Sequence, residues 1–136
     1  MPPILYRGKR QDNDEWLVES AIMYDDELCT RIAILDAATG EFEEVQSLTV
    51  SQFTGLYDCN GKRIFENDVV RIKSMTGVIK YHSYMTCFYI DVDGIKPTIN
   101  NSYATLGDMW KSYRKDITVL GDVFQPEFSD NKWKEL

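Results

Sequence analysis

Residues 51–72 read SQFTGLYDCNGKRIFENDVVRI, and the fold turns on how this stretch is understood. It places Gly55, an Asn60-Gly61 pair and the acids Asp58, Glu66 and Asp68 ahead of the apolar run DVVRI. Such a density of turn formers suits either a loop built for chemistry or the turn-rich opening of a small β-barrel. Asn-Gly is a strong two-residue hairpin signal, because both central residues must accept positive φ. Asp and Asn side chains hydrogen-bond their own backbone, and Gly enters conformations closed to other residues. Thr54, Gly55, Asp58, Asn60, Gly61, Glu66 and Asp68 are therefore read as a structural turn motif, and the barrel reading is preferred.

Outward from this stretch the pattern stays β. Downstream, DVVRIK and GVIKYH flank SMT, with Gly77 expected at the turn exit, and CFYIDVDG supplies a third strand. Val70 and Ile72 share one face, as do Ile79 and Tyr81, and as do Phe88, Ile90 and Val92, which together make one wall of a core. SYATLGDMWKSY breaks the rhythm. Leu106, Met109, Trp110 and Tyr113 fall at i, i+3, i+4 and i+7, which predicts a short helix at about 105–113. Thr105 and Asp108 have capping-box spacing at its start. DITVLGDVF reads as a closing strand stopped by Pro126, and the polar tail SDNKWKEL is expected to fray. Upstream, ILYRGKR and EWLVESAIMY flank QDND, and CTRIAILD and EFEEVQ flank AATG, giving two hairpins. In the first, Trp16, Val18 and Ile22 keep a period of two.

The charge is unevenly placed. The 136-residue chain carries a net charge of −7. Residues 1–50 hold eleven acids and four bases, whereas 51–136 hold eleven of each. Two regions follow, an acidic N-terminal β subdomain (1–50) and a neutral barrel subdomain (51–136) that begins with the motif 51–70. The acidic part repels phosphate backbones and suits a basic partner. No apolar run approaches the roughly 18 residues of a membrane span. The first residues lack a signal-peptide hydrophobic stretch, and Cys29, Cys59 and Cys87 form no paired spacing, so a reducing cytoplasm is the expected location.

Chemistry-bearing motifs are scarce. There is no phosphate-binding Gly-rich loop, no H-E-x-x-H and no EF-hand loop. His82 is the single histidine, and a dyad with Cys87 would have no orienting third group. Asp25-Asp26-Glu27, Glu43-Glu44 and Asp91/Asp93 are read as charges at hairpin ends rather than cation ligands. Asn100-Asn101-Ser102 matches a glycosylation sequon without consequence for a cytoplasmic chain. A non-enzymatic protein without cofactor or metal is expected.

The segment QFTGLYDCNGKRIFENDVVRI resembles the signature of the YopX-like proteins of bacteriophages and prophages. Gln52 to Leu56, Asp58, Asn60, Gly61, Ile64 to Glu66, Asp68 and Val70 carry the match. YRGKR followed by NDEW is similar to the family's opening hairpin, and TVLGDVF to its closing strand. Two glycines usual in the family are replaced here by Asn67 and Asp14. Asn and Asp are the residues that best tolerate left-handed φ, so both turns should survive. The resemblance implies an SH3-like β-barrel in the C-terminal half with an N-terminal β-hairpin region packed on it; it implies no activity.

Two functions are thus expected. The first is a phage- or prophage-encoded interaction protein, with a host or phage protein or a second copy of itself as partner. The second is a nucleic-acid-binding accessory protein. Its contacts would be Arg71, Lys73, Lys80, His82 and Tyr89 on the outer face of the barrel strands, opposite the apolar wall.

Overall fold

The computed structural model describes residues 3–25, 31–92 and 105–135. The fold is mainly β, with eleven strands and one α-helix among these residues. They divide into two compact units, Met1–Gly55 and Leu56–Leu136.

In the first unit, β1 (Tyr6–Lys9) and β2 (Trp16–Glu19) form an antiparallel hairpin, with Gly8 opposite Leu17 and Lys9 opposite Trp16. Asp14 closes the turn at φ 57°, the left-handed conformation expected of this position. The period-two face of Trp16 and Val18 also carries Arg7, whose guanidinium lies 4.4 Å from the Trp16 ring centre. Gly8 faces the other way. A Cβ there would come within 2.8 Å of Val45 Cγ2 and 3.1 Å of Ile34 Cδ1, so only glycine lets this hairpin approach the core. β3 (Ile22–Tyr24), β4 (Ile32–Asp36) and β5 (Glu41–Val45) make a three-stranded antiparallel sheet, and Gly40 ends the β4–β5 turn at φ 76°. A 3-10 turn at Ser47–Thr49 leads into β6 (Ser51–Tyr57), whose first residues pair with β1.

Gly55 sits inside β6, at φ 88°, where the chain leaves the first unit. Thr54 and Gly55 are therefore strand residues, contrary to their reading as turn builders. Gly55 supplies a kink that a residue with a Cβ would resist.

In the second unit, β7 (Arg63–Phe65) lies beside β6. The Asp58–Gly61 turn between them differs from expectation in one respect. Gly61 alone takes positive φ (78°), and its N–H donates to Asp58 O at 3.1 Å, so Asn60 needs no left-handed conformation. β8 (Asp68–Ile72), β9 (Met75–His82), β10 (Cys87–Asp91) and β11 (Ile117–Asp122) form an antiparallel sheet in the order β10-β9-β8-β11. Asn67 turns the chain into β8 at φ 71°, as its replacement of glycine requires. The β8–β9 turn is Lys73-Ser74, with Lys73 at φ 56°, one position ahead of the expected SMT. Gly77 is mid-strand, where a Cβ would stand 2.5 Å from Ile90 Cγ2. The described strands form open sheets, not a closed barrel.

One face of this sheet carries the core, with Val70, Ile72, Ile79, Ile90, Ile117 and Val119 joined by Ile64 and Leu106. The helix α1 (Leu106–Tyr113) brings Leu106, Met109 and Trp110 to it, and Thr105 caps α1 by accepting from Asp108 N. On the opposite face Val69 and Val78 meet Trp133, with Val123 and Phe128 around them. Trp133 is 4% exposed in a closing 3-10 turn, Lys132–Glu135. The tail was expected to fray; this indole instead folds it down onto the sheet.

Candidate functional site

Of the seven motif residues, Thr54 and Gly55 lie in β6, Asp58, Asn60 and Gly61 between β6 and β7, and Glu66 and Asp68 where β7 turns into β8. Asp58 is buried, and its carboxylate accepts three backbone N–H groups. Oδ1 takes those of Asn60 at 2.9 Å and Lys62 at 2.8 Å, and Oδ2 takes that of Val119 at 3.0 Å. One side chain thus closes its own turn and ties it to β11. Asp68, 1% exposed, accepts from Phe65 N at 2.8 Å across the Glu66-Asn67 turn. These acids serve the backbone. Glu66 is half-buried at the same turn.

The five residues expected on an outer strip are brought together only in part. Lys80 and Tyr89 are cross-strand partners, and the His82 ring lies 5.8 Å from that of Tyr89. Tyr89, however, is 4% exposed, so the ring is not open to stack a base. Burial pushes its hydroxyl pKa above the usual phenol value, and the Asp91 charge adds to this while Lys80 opposes it. Lys80 Nζ is 3.1 Å from Asp91 Oδ2, and His82 Nδ1 accepts from Met85 N at 3.1 Å. Arg71 lies opposite Thr76 on β9, four positions before Lys80, or about 13 Å along the strand. Lys73 is farther still, at the turn. Cys87 does lie opposite His82, and Cys59 and Cys87 are free thiols. Among the described residues, no group of three or more His, Cys, Asp or Glu is placed to hold a metal ion. Asp26, Glu27, Cys29, Asp93 and residues 100–102 lie outside the described residues.

A different surface stands out in the first unit. Register puts Met23, Ala33 and Glu44 in one row and Leu35 and Phe42 in the next, all on one face of the β3–β5 sheet. The other face carries Ile34 and Val45, which are 0% and 1% exposed. Met23 and Phe42 are 52% and 40% exposed, so the first face is open. A shallow groove of about 260 Å³ runs beside Met23, Tyr24, Asp25, Arg31, Ala33 and Glu44.

Charge is arranged to match. At the rim of the buried face, Arg10 holds Asp12 (3.1 Å), Asp36 (3.0 Å) and Glu43 (3.7 Å). These partners, Asp12 first, raise the guanidinium pKa further, although partial burial opposes them. On the open face Arg31 pairs with Glu44 at 3.0 Å and donates its backbone N–H to Asp25 Oδ1. Sequence reasoning saw the acidic excess but missed this face, although the alternation of Ala33 with Leu35 beside Phe42 held the signal.

No helix among the described residues is long and apolar enough to cross a membrane. No curated protein matches the chain. The family model described as YopX protein matches residues 5–127, which span both units. The chain belongs to the YopX family.

Proposed function

We propose that this protein works by binding another protein rather than by catalysis, and that the open face of the β3–β5 sheet is its contact. The observation that carries this reading is the pair Met23 and Phe42, exposed together on one sheet face of an acidic unit. Apolar side chains held out to solvent in a charged surround are the usual make-up of a docking surface. The acidic excess of residues 1–50 selects a partner that surrounds an apolar anchor with Lys and Arg. The setting that fits is a phage or prophage product acting in the cytoplasm of its bacterial host. In that setting the second unit is an SH3-like scaffold whose β8–β9–β10 meander and β11 form an incompletely closed barrel.

The test is affinity capture from host lysate with the full chain and with Met23→Asp/Phe42→Asp, followed by reconstitution with the purified partner. A basic protein that binds the wild type and loses at least tenfold in affinity for the variant supports the reading. Light scattering that shows a dimer broken by the same variant assigns the face to a second copy. A partner retained by the variant overturns the proposal.

A further inference from the structure

Among the described residues, four cations at one corner of the second unit have no carboxylate within ion-pair distance. Lys111, Arg114 and Lys115 follow one another through the end of α1 and the bend after it. Lys111 lies in the last turn of α1, Arg114 caps it and Lys115 follows in the turn beyond. Lys73 arrives from the β8–β9 turn, with its ammonium 5.2 Å from the centre of the Tyr113 ring. The Arg114 guanidinium is 5.6 Å from the centre of the Trp110 ring. Residues 111–116 line a shallow groove of about 310 Å³, to which Asp116 contributes the single acid.

Three cations elsewhere are ion-paired: Arg10 with three carboxylates, Arg31 with Glu44 and Lys80 with Asp91. Among the described residues, no carboxylate lies within ion-pair distance of Lys73, Lys111, Arg114 or Lys115. Cations at a helix C-terminus also complement its dipole. That accounts for Lys111 and its neighbours, but not for Lys73, which comes from a different element.

We infer that this corner binds the phosphate backbone of single-stranded nucleic acid. Uncompensated cations beside aromatic rings are the combination that tracks a single strand, the cations meeting phosphates and a ring offering a base its face. Tyr113 is 37% exposed and fills the second role. The site is separate from the proposed protein-binding face and does not depend on it.

The experiment is fluorescence anisotropy of a labelled single-stranded oligonucleotide with the full chain at 50 and 200 mM salt. With three or four phosphates neutralised, affinity should fall about 20- to 50-fold between the two concentrations. Lys111→Gln/Lys115→Gln should weaken binding by at least fivefold at low salt, and Lys80→Gln should leave it unchanged. Thermal melting checks that the double variant folds; if it does not, Lys73→Gln on the exposed turn replaces it. Absence of binding at 50 mM salt, or binding insensitive to these substitutions, overturns the inference. Equal affinity for a duplex overturns the single-strand assignment, and equally effective competition by polyglutamate overturns the assignment to nucleic acid.

Discussion

The two units use the same chemistry for opposite ends. In Leu56–Leu136 the central sheet is covered on both faces, by the Val70–Ile79–Ile117 core on one side and by Phe128 and Trp133 on the other. In Met1–Gly55 the three-stranded sheet buries Ile34 and Val45 on one face and leaves Met23 and Phe42 exposed on the other. Among the described residues, thirteen buried apolar side chains belong to the second unit and three (Ile34, Val45 and Phe53) to the first. Carboxylates divide in the same way. Asp58, Asp68, Asp91 and Asp122 are buried in the second unit, whereas among the described residues no acid of the first unit is. Buried acids must be satisfied from within the fold, so they become structural parts. On the proposed reading the second unit serves as the scaffold and the first as the binding surface.

The sharpest way to break this contrast is to remove the cover from the second unit. Trp133→Ala leaves Val69 and Val78 without their lid and opens a space the size of an indole. A loss of about 3–5 kcal/mol is expected, as for other buried tryptophans, measured by urea denaturation. A change below 1 kcal/mol would mean that the tail is dispensable, and that the β8–β9 face is as open as the β3–β5 face.

Next in size is Asp58→Ala, which strips acceptors from three backbone N–H groups at once. The Asn60 and Lys62 amides can turn to water, but that of Val119 lies within the β8–β11 pairing and cannot. The expected cost is about 2–4 kcal/mol. Asp58→Asn keeps one acceptor oxygen and should lose roughly half as much. If Asp58→Ala instead keeps full stability while changing a binding property, the motif is a ligand loop after all.

Which parts of this architecture could be read in advance follows from how local their causes are. Asp14 and Asn67 take left-handed φ because the turn geometry of a few residues demands it, so the replaced glycines were enough to foresee both. The helix α1 announced itself through one apolar stripe and the Thr105 cap. Alternation told correctly that Lys80, His82 and Tyr89 share a face, since register pairs Lys80 with Tyr89. It could not tell whether that face was open, because covering it is the work of distant chain. Trp133 is the clearest case, a lone aromatic in a polar tail whose burial depends on Val69 and Val78 more than fifty residues earlier. The Asp58 bond to Val119, 61 residues away, was illegible for the same reason. The open face was hidden by the opposite difficulty, since its residues look like half of an ordinary amphipathic sheet until the structure shows Met23 and Phe42 exposed on it.

The smallest expected effect is the most telling for the first unit. Met23→Ser and Phe42→Ser remove apolar side chains that already stand 52% and 40% exposed, so little buried contact is lost. Exposed substitutions of this kind fall within about 0.5 kcal/mol of wild type, and urea denaturation should find them there. An exposed apolar pair of no value to the fold is kept at a standing risk of aggregation, a cost that a partner's surface would offset. Wild-type stability in both variants would therefore separate the function of this face from its folding. A loss above about 1.5 kcal/mol, of the order of burying an apolar side chain, would show that Met23 and Phe42 already have a cover within the chain. The first unit would then be closed like the second, and the protein-binding face would have to be sought elsewhere.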